Sequence, residues 1–121
     1  MPMADPTKNK RAGARFELDL LNGFRDAGFP TERLRLAGKH DEGDLVVDFE
    51  GQAVVVEAKA GVMHPADFVR QAALERDNYA KARGLNPAVV EGVAVVKARG
   101  KSWRVAYVLT TVREFFGLSD G

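Results

Sequence analysis

Residues 43 to 60 read GDLVVDFEGQAVVVEAKA, two β-branched runs that meet at Glu50-Gly51. A two-residue loop ending in glycine is a favoured hairpin connection, because such loops need positive φ at their centre. That loop sets the register, pairing Phe49 with Gln52 and every earlier residue with its mirror image across the turn. Side chains alternate along a strand, so Leu45, Val47, Phe49, Val54 and Val56 share one continuous apolar face. The opposite face carries Asp44, Val46, Asp48, Val55, Glu57 and Lys59, with Asp44 expected directly across from Glu57. A slip of one residue would turn the whole apolar set to water, so the pattern tolerates no other pairing.

Two opposed carboxylates repel, and leaving them unanswered in a partly buried place is unfavourable. A positive charge is needed between them. Lys59 supplies one, which gives a half-buried ion pair as one reading. A hard divalent cation such as Mg²⁺, which takes oxygen ligands and brings its own waters, is the other. Glu17, beside Phe16 in an apolar-periodic segment, can reach the same cluster if that segment packs against the sheet.

The rest of the chain supplies that packing. From Ala14 to Ala27, Phe16, Leu20, Leu21 and Phe24 fall at helical spacing, with Gly28 and Pro30 as stop signals. ERLRLAG (32 to 38) is a short strand, followed by the hairpin. After His64-Pro65, ADFVRQAALERDNYAKARG forms a helix ending at Gly84. AVVEGVAVVKA and WRVAYVLTT are two further strands joined across residues 99 to 102, and VREFFGL is a closing helix. The order helix, three strands, helix, two strands, helix implies an α/β fold. A helix between the third and fourth strands is a crossover, so the five-stranded sheet is expected to be mixed and flanked by helices.

At 121 residues and 45% hydrophobic content the chain fits one domain with its own core. We expect residues 1 to 12 to be a flexible basic arm and 13 to 121 to be that domain. There is no cysteine, which excludes disulfides and thiolate metal sites. No segment reads as a signal peptide or membrane span, so a cytoplasmic protein is expected. The net charge of +1 conceals clustering of its 18 basic residues. Lys8, Lys10, Arg11 and Arg15 lie near the start, Arg33, Arg35, Lys39 and His40 follow the first helix, and Lys97, Arg99, Lys101 and Arg104 surround a late turn. Basic clusters around an acidic site suit a polyanion.

Asp44, then strand, turn and strand, then Glu57-Ala58-Lys59, resembles the PD-(D/E)XK nuclease signature. The glutamate on the preceding helix and Gln71 on the crossover helix make the chain most similar to archaeal-type and phage Holliday junction resolvases, over roughly residues 13 to 116. The resemblance implies a restriction-endonuclease-like core and metal-dependent phosphodiester hydrolysis. On it, Glu17, Asp44, Glu57 and the Ala58 carbonyl hold Mg²⁺, for which Mn²⁺ can substitute. Lys59 orients the attacking water and stabilises charge on the phosphorane, and Gln71 supports the site. The family often carries a serine before its aspartate; AGKHDEGD offers Lys39 and His40 instead.

The implied activity is structure-selective cleavage of four-way DNA junctions. Paired cuts call for a two-fold homodimer. Val108, Val112, Phe115, Phe116 and Leu118 are candidates for its interface, and Lys8, Lys10, Arg11, Arg15, Arg33, Arg35, Lys39, His40, Arg99 and Lys101 for contacts to DNA phosphates. Other branched, nicked or duplex DNA, or a non-catalytic DNA-binding module on the same fold, are the alternatives. If the chain is virus-encoded, the host cytoplasm is where it acts.

Overall fold

A computed structural model of the chain describes residues 6–34 and 43–119, with side chains from residue 10 onward. Helix α1 (Pro6–Asp26) leads into β1 (Thr31–Arg33), then β2 (Leu45–Phe49) and β3 (Gln52–Lys59). Helix α2 (Pro65–Ala82) crosses to β4 (Val90–Val96), followed by β5 (Tyr107–Leu109) and the short α3 (Val112–Phe116). Single 3-10 turns at Pro87–Val89 and Trp103–Val105 precede the last two strands. The sheet runs β1-β2-β3-β4-β5 in space; only β3 and β4 are parallel, so it is mixed, as expected from the crossover.

The hairpin has the register set by its turn. Leu45 faces Val56, Val47 faces Val54 and Phe49 faces Gln52. Glu50 (φ 53°) and Gly51 (φ 90°) both adopt positive φ, the pattern of a type I′ turn, which matches the twist of the flanking strands. Asp48 Oδ1 accepts from the Gly51 N–H at 2.8 Å and closes the loop.

Three expectations need correction. The ladder ends at Leu45, so Asp44 is not a strand residue opposite Glu57: its N–H donates to Val56 O, one residue short of that pairing. The segment from 6 to 12, read as an arm, is helical and continuous with the rest of α1, with Pro6 at the start where a missing N–H costs nothing. The strand expected over 32 to 38 is described as Thr31–Arg33, starting one residue earlier and leaving Leu34 outside it, while 35 to 38 lie outside the described residues. Arg35, Lys39 and His40 lie outside the described residues, and so do the side chain of Lys8 and residues 1 to 5.

Helices pack on both faces of the sheet, which the hairpin pattern alone did not require. On one face Phe16, Leu20 and Leu21 of α1 pack on Leu45, Val47, Val56 and Val95. On the other, Val55 and Val90 pack against Tyr79 and Ala80 of α2, with Val46 and Ala53 alongside. The face of Val46 and Val55 is therefore core for most of its length, and polar only at its end. Full burial of each such aliphatic side chain stabilises the fold by roughly 1.5–3 kcal/mol before ordering entropy is counted. Helix α3 is tied down by Arg76 of α2, whose guanidinium bonds both Glu114 oxygens at 3.1 and 3.4 Å. Burial works against the Arg76 charge, but Glu114 and Asp77 more than offset it and hold its pKa above the ordinary value.

Helix α1 covers only part of its side of the sheet. Beside it lies a groove of about 500 Å³ lined mainly by Phe24, Val54, Val93, Val95, Val108 and Phe115.

Candidate active site

The last residues of β3 leave the apolar core and meet α2. Val55 and Val56 are fully buried; Glu57, next in line, is 6% exposed and faces α2. Such a carboxylate must be answered. Glu57 Oε1 receives Lys59 Nζ at 3.2 Å and Gln71 Nε2 at 3.3 Å. Its other oxygen, Oε2, is buried and has no hydrogen-bond partner among the described residues. Lys59 also lies over the Phe68 ring, 5.3 Å from its centroid, so the aromatic face and Glu57 together hold the ammonium at the carboxyl end of β3. His64, just before α2, stacks edge-on against Phe68. This cluster sits at the carboxyl ends of the parallel pair β3 and β4, where open α/β sheets characteristically bind ligands.

Asp44 arrives from the other strand of the hairpin. Its Oδ2 accepts the Ala58 N–H at 2.8 Å, which pins the carboxylate beside β3 at the level of Glu57. The bend that permits this begins at Gly43, whose φ of 99° disfavours a side chain. Space forbids one as well, since a Cβ at Gly43 would stand 2.8 Å from Val55 Cγ1.

Glu17 approaches from α1 and is bound by Arg33 of β1, with Nε 3.1 Å from Glu17 Oε1. Burial raises the Glu17 pKa above its ordinary 4.5; Arg33 opposes that shift, and the negative charge of Glu57 adds to it. Glu17 is thus close enough to Glu57 to sense its charge while its carboxylate is engaged by Arg33. Glu57, Lys59 and Gln71 are in direct contact, Asp44 is bonded to the backbone between Glu57 and Lys59, and Glu17 stands at the margin. Among the described residues, no three acidic or histidine side chains are drawn together tightly enough to hold a metal ion as they stand.

Because the folded-state pKa of Glu17 is raised, its titration contributes stability that is fully present below pH 4.5 and is lost as pH rises through the higher folded value. Glu17→Gln is therefore expected to flatten the loss of stability just above pH 4.5, measured by urea unfolding across pH in the presence of a chelator. A wild-type slope unchanged by the substitution would contradict this.

The remaining sequence candidates divide by position. Lys10, Arg11 and Arg15 are exposed on α1, and Arg99 and Lys101 are exposed in the β4–β5 connection. Lys97 and Arg99 border the same hollow as Ala60, Gly61 and Val62, just beyond Lys59. Val108, Val112, Phe115, Phe116 and Leu118 are all exposed, Phe115 to 72%. One residue of the cluster escaped the sequence reading: Glu75 of α2 is 1% exposed and accepts from Gln71 Nε2 at 3.0 Å. Its signal was present, since Phe68, Ala72, Glu75 and Tyr79 form a stripe at helical spacing in which Glu75 is the polar member.

No family model matches the chain, and no curated protein does. Among solved structures it is similar to Hjc of Archaeoglobus fulgidus, a Holliday junction resolvase from an archaeal hyperthermophile. The two share 26% identity with a TM-score of 0.50, over 72% of this chain and 68% of that one.

Proposed function

We propose that the chain is a nuclease of the PD-(D/E)XK resolvase type, consistent with its likeness to Hjc, and that it is a Mg²⁺-dependent endonuclease that cuts four-way DNA junctions symmetrically as a homodimer. The observation that carries this reading is Glu57: a buried carboxylate with one oxygen engaged by Lys59 and Gln71, and the other without a hydrogen-bond partner among the described residues. A desolvated oxygen of this kind is a strong ligand for a hard cation.

The donors present fit such an ion. Glu57 and Asp44 would hold it, with the Ala58 carbonyl between them in sequence and Glu17 joining once Arg33 releases it. When bound, the ion polarises the scissile phosphate and acidifies water. The chain's own residues do the rest. Lys59 places a compact positive charge at the carboxyl end of β3, where it orients the attacking water and offsets the negative charge that accumulates on the phosphate oxygens. Phe68 and Glu57 fix that ammonium, so little reorganisation is needed as the reaction proceeds. Gln71 keeps the Glu57 carboxylate oriented.

The exposed cations of α1 and of the β4–β5 connection lie where duplex arms can be held by their phosphates. No base-reading element is evident in the sequence, so recognition of branched shape is expected, with affinity that falls steeply as salt rises. The uncovered groove beside α1, lined in part by Val108 and Phe115, and the exposed Val112, Phe116 and Leu118 are more apolar than a free surface requires, and the groove would provide the self-complementary face of a two-fold dimer.

The test is a Mg²⁺ titration of the protein with a synthetic four-way junction and a linear duplex of the same sequence. Symmetric nicks in the junction alone are expected. Equal cutting of the duplex would replace junction selectivity with a general nuclease activity, and binding without cleavage at any Mg²⁺ or Mn²⁺ concentration would reduce the protein to a DNA-binding module.

A further inference from the structure

Glu75 lies one helical turn beyond Gln71 on α2, with its side chain almost wholly removed from solvent. A carboxylate in that position is unfavourable unless donors meet it. Gln71 meets it, and in doing so joins it to the site: Gln71 Nε2 donates to Glu75 Oε1 at 3.0 Å and to Glu57 Oε1 at 3.3 Å. An amide nitrogen has two N–H groups, and ionised carboxylates only accept. The two glutamates therefore use both donors of one nitrogen and determine which way round the Gln71 amide lies.

The same carboxylate supports the second strand of the site. Glu75 Oε2 stands 3.4 Å from the point a Cβ on Gly43 would occupy, so it packs against the backbone immediately before Asp44. One buried group on α2 thus borders the approaches to both hairpin carboxylates.

We propose that Glu75 is a positioning residue of this site. It holds the Gln71 amide nitrogen against Glu57 Oε1, so that Glu57 keeps one oxygen turned to α2 and the other available to a ligand. The proposal builds on the reading of Glu57 as a metal-holding carboxylate. Gln71 without Glu75 has a free N–H and a rotatable amide, and the Glu57 orientation loses its brace. Residues that orient a metal-holding group from behind are typically worth ~10- to 100-fold in affinity or activity.

The test compares Glu75→Met, which preserves volume and removes the acceptor, with Glu75→Gln, whose Oε1 still accepts from Gln71. The first readout is the Gln71 side-chain amide resonance pair in metal-free protein, assigned with Gln71→Ala. Slow solvent exchange and a wide separation of the two protons are expected in wild type and Glu75→Gln, and exposed-type behaviour in Glu75→Met. The second is single-turnover cleavage of a four-way junction. Glu75→Met should fall by ~10- to 100-fold with junction affinity unchanged, while Glu75→Gln recovers most of the rate. Exposed-type Gln71 resonances in the wild type overturn the proposal without recourse to any variant. So do resonances or cleavage rates unmoved in Glu75→Met, or a Glu75→Gln protein as impaired as Glu75→Met. If the wild type cleaves nothing, the nuclease reading is what has failed, and the amide resonances alone decide the role of Glu75.

Discussion

Replacing Glu57 with glutamine should leave four-way junction binding intact and lower cleavage by a factor on the order of 10² to 10³, the scale on which removal of one preorganised charge-stabilising group acts. The substitution keeps the shape of the side chain and removes its charge. The buried Oε2, which has no hydrogen-bond partner among the described residues, becomes either a neutral oxygen, a weaker ligand for a hard divalent cation than a carboxylate, or an amide nitrogen, which cannot replace it. Lys59 loses its counter-charge at the same time, because its Nζ stands 3.2 Å from Glu57 Oε1. Both changes should weaken catalysis, and neither touches the exposed cations proposed to hold DNA. Asp44→Asn is the companion experiment. Its amide oxygen still accepts from the Ala58 N–H, so the local fold is retained while the charge is lost. Fluorescence anisotropy on a labelled junction separates binding from cleavage. Wild-type cleavage by either variant would remove these residues from the site.

The second large effect concerns assembly. Val108→Glu together with Phe115→Glu should convert the proposed dimer to a monomer, with the dissociation constant rising on the order of 10³-fold or more, since each buried charge carries a penalty of several kcal/mol. Both residues line the groove beside α1. Both are also well exposed in the single chain, so the isolated subunit should tolerate the change. Light scattering gives the mass, and thermal unfolding verifies the fold. On a junction, the monomer should produce uncoordinated single nicks instead of paired ones, because each subunit retains its own Glu57 and Lys59. A double variant that remains dimeric would place the interface elsewhere, and a monomeric wild type would remove the symmetric-cleavage model altogether.

The hairpin was the most legible element because its turn is specified by two adjacent residues, and everything on its strands follows from alternation. Glu57, Lys59 and the apolar face were therefore readable. Asp44 was readable as a neighbour of the end of β3 but not in its posture. Alternation assumes a regular ladder, and the ladder stops at Leu45 because Gly43 bends the chain. The start of α1 was misread for a different reason. Basic residues in the chain's first dozen positions suggest a solvated tail, yet lysine, arginine and alanine are good helix formers, and Pro6 opens the helix. Gln71 and Glu75 show the limit of local pattern. A polar residue in a helix is normally assigned to its wet side, and only the packing of α2 across the end of β3 turns these two inward. Arg33, expected among the DNA contacts, engages Glu17, a pairing between elements that no spacing rule reveals.

The strand order carries a consequence for how the molecule comes into being. Every neighbouring pair in the sheet is also consecutive along the chain, and three of the four pairings are antiparallel, whereas β3 and β4 must wait for the intervening helix to cross. Closing that connection is the most entropically demanding event in an otherwise local topology. Glu57 lies just before the crossover and Gln71 within it, so the geometry of the proposed site and late folding share a single step: chains trapped before it can have a sound hairpin and still lack the Gln71–Glu57 contact.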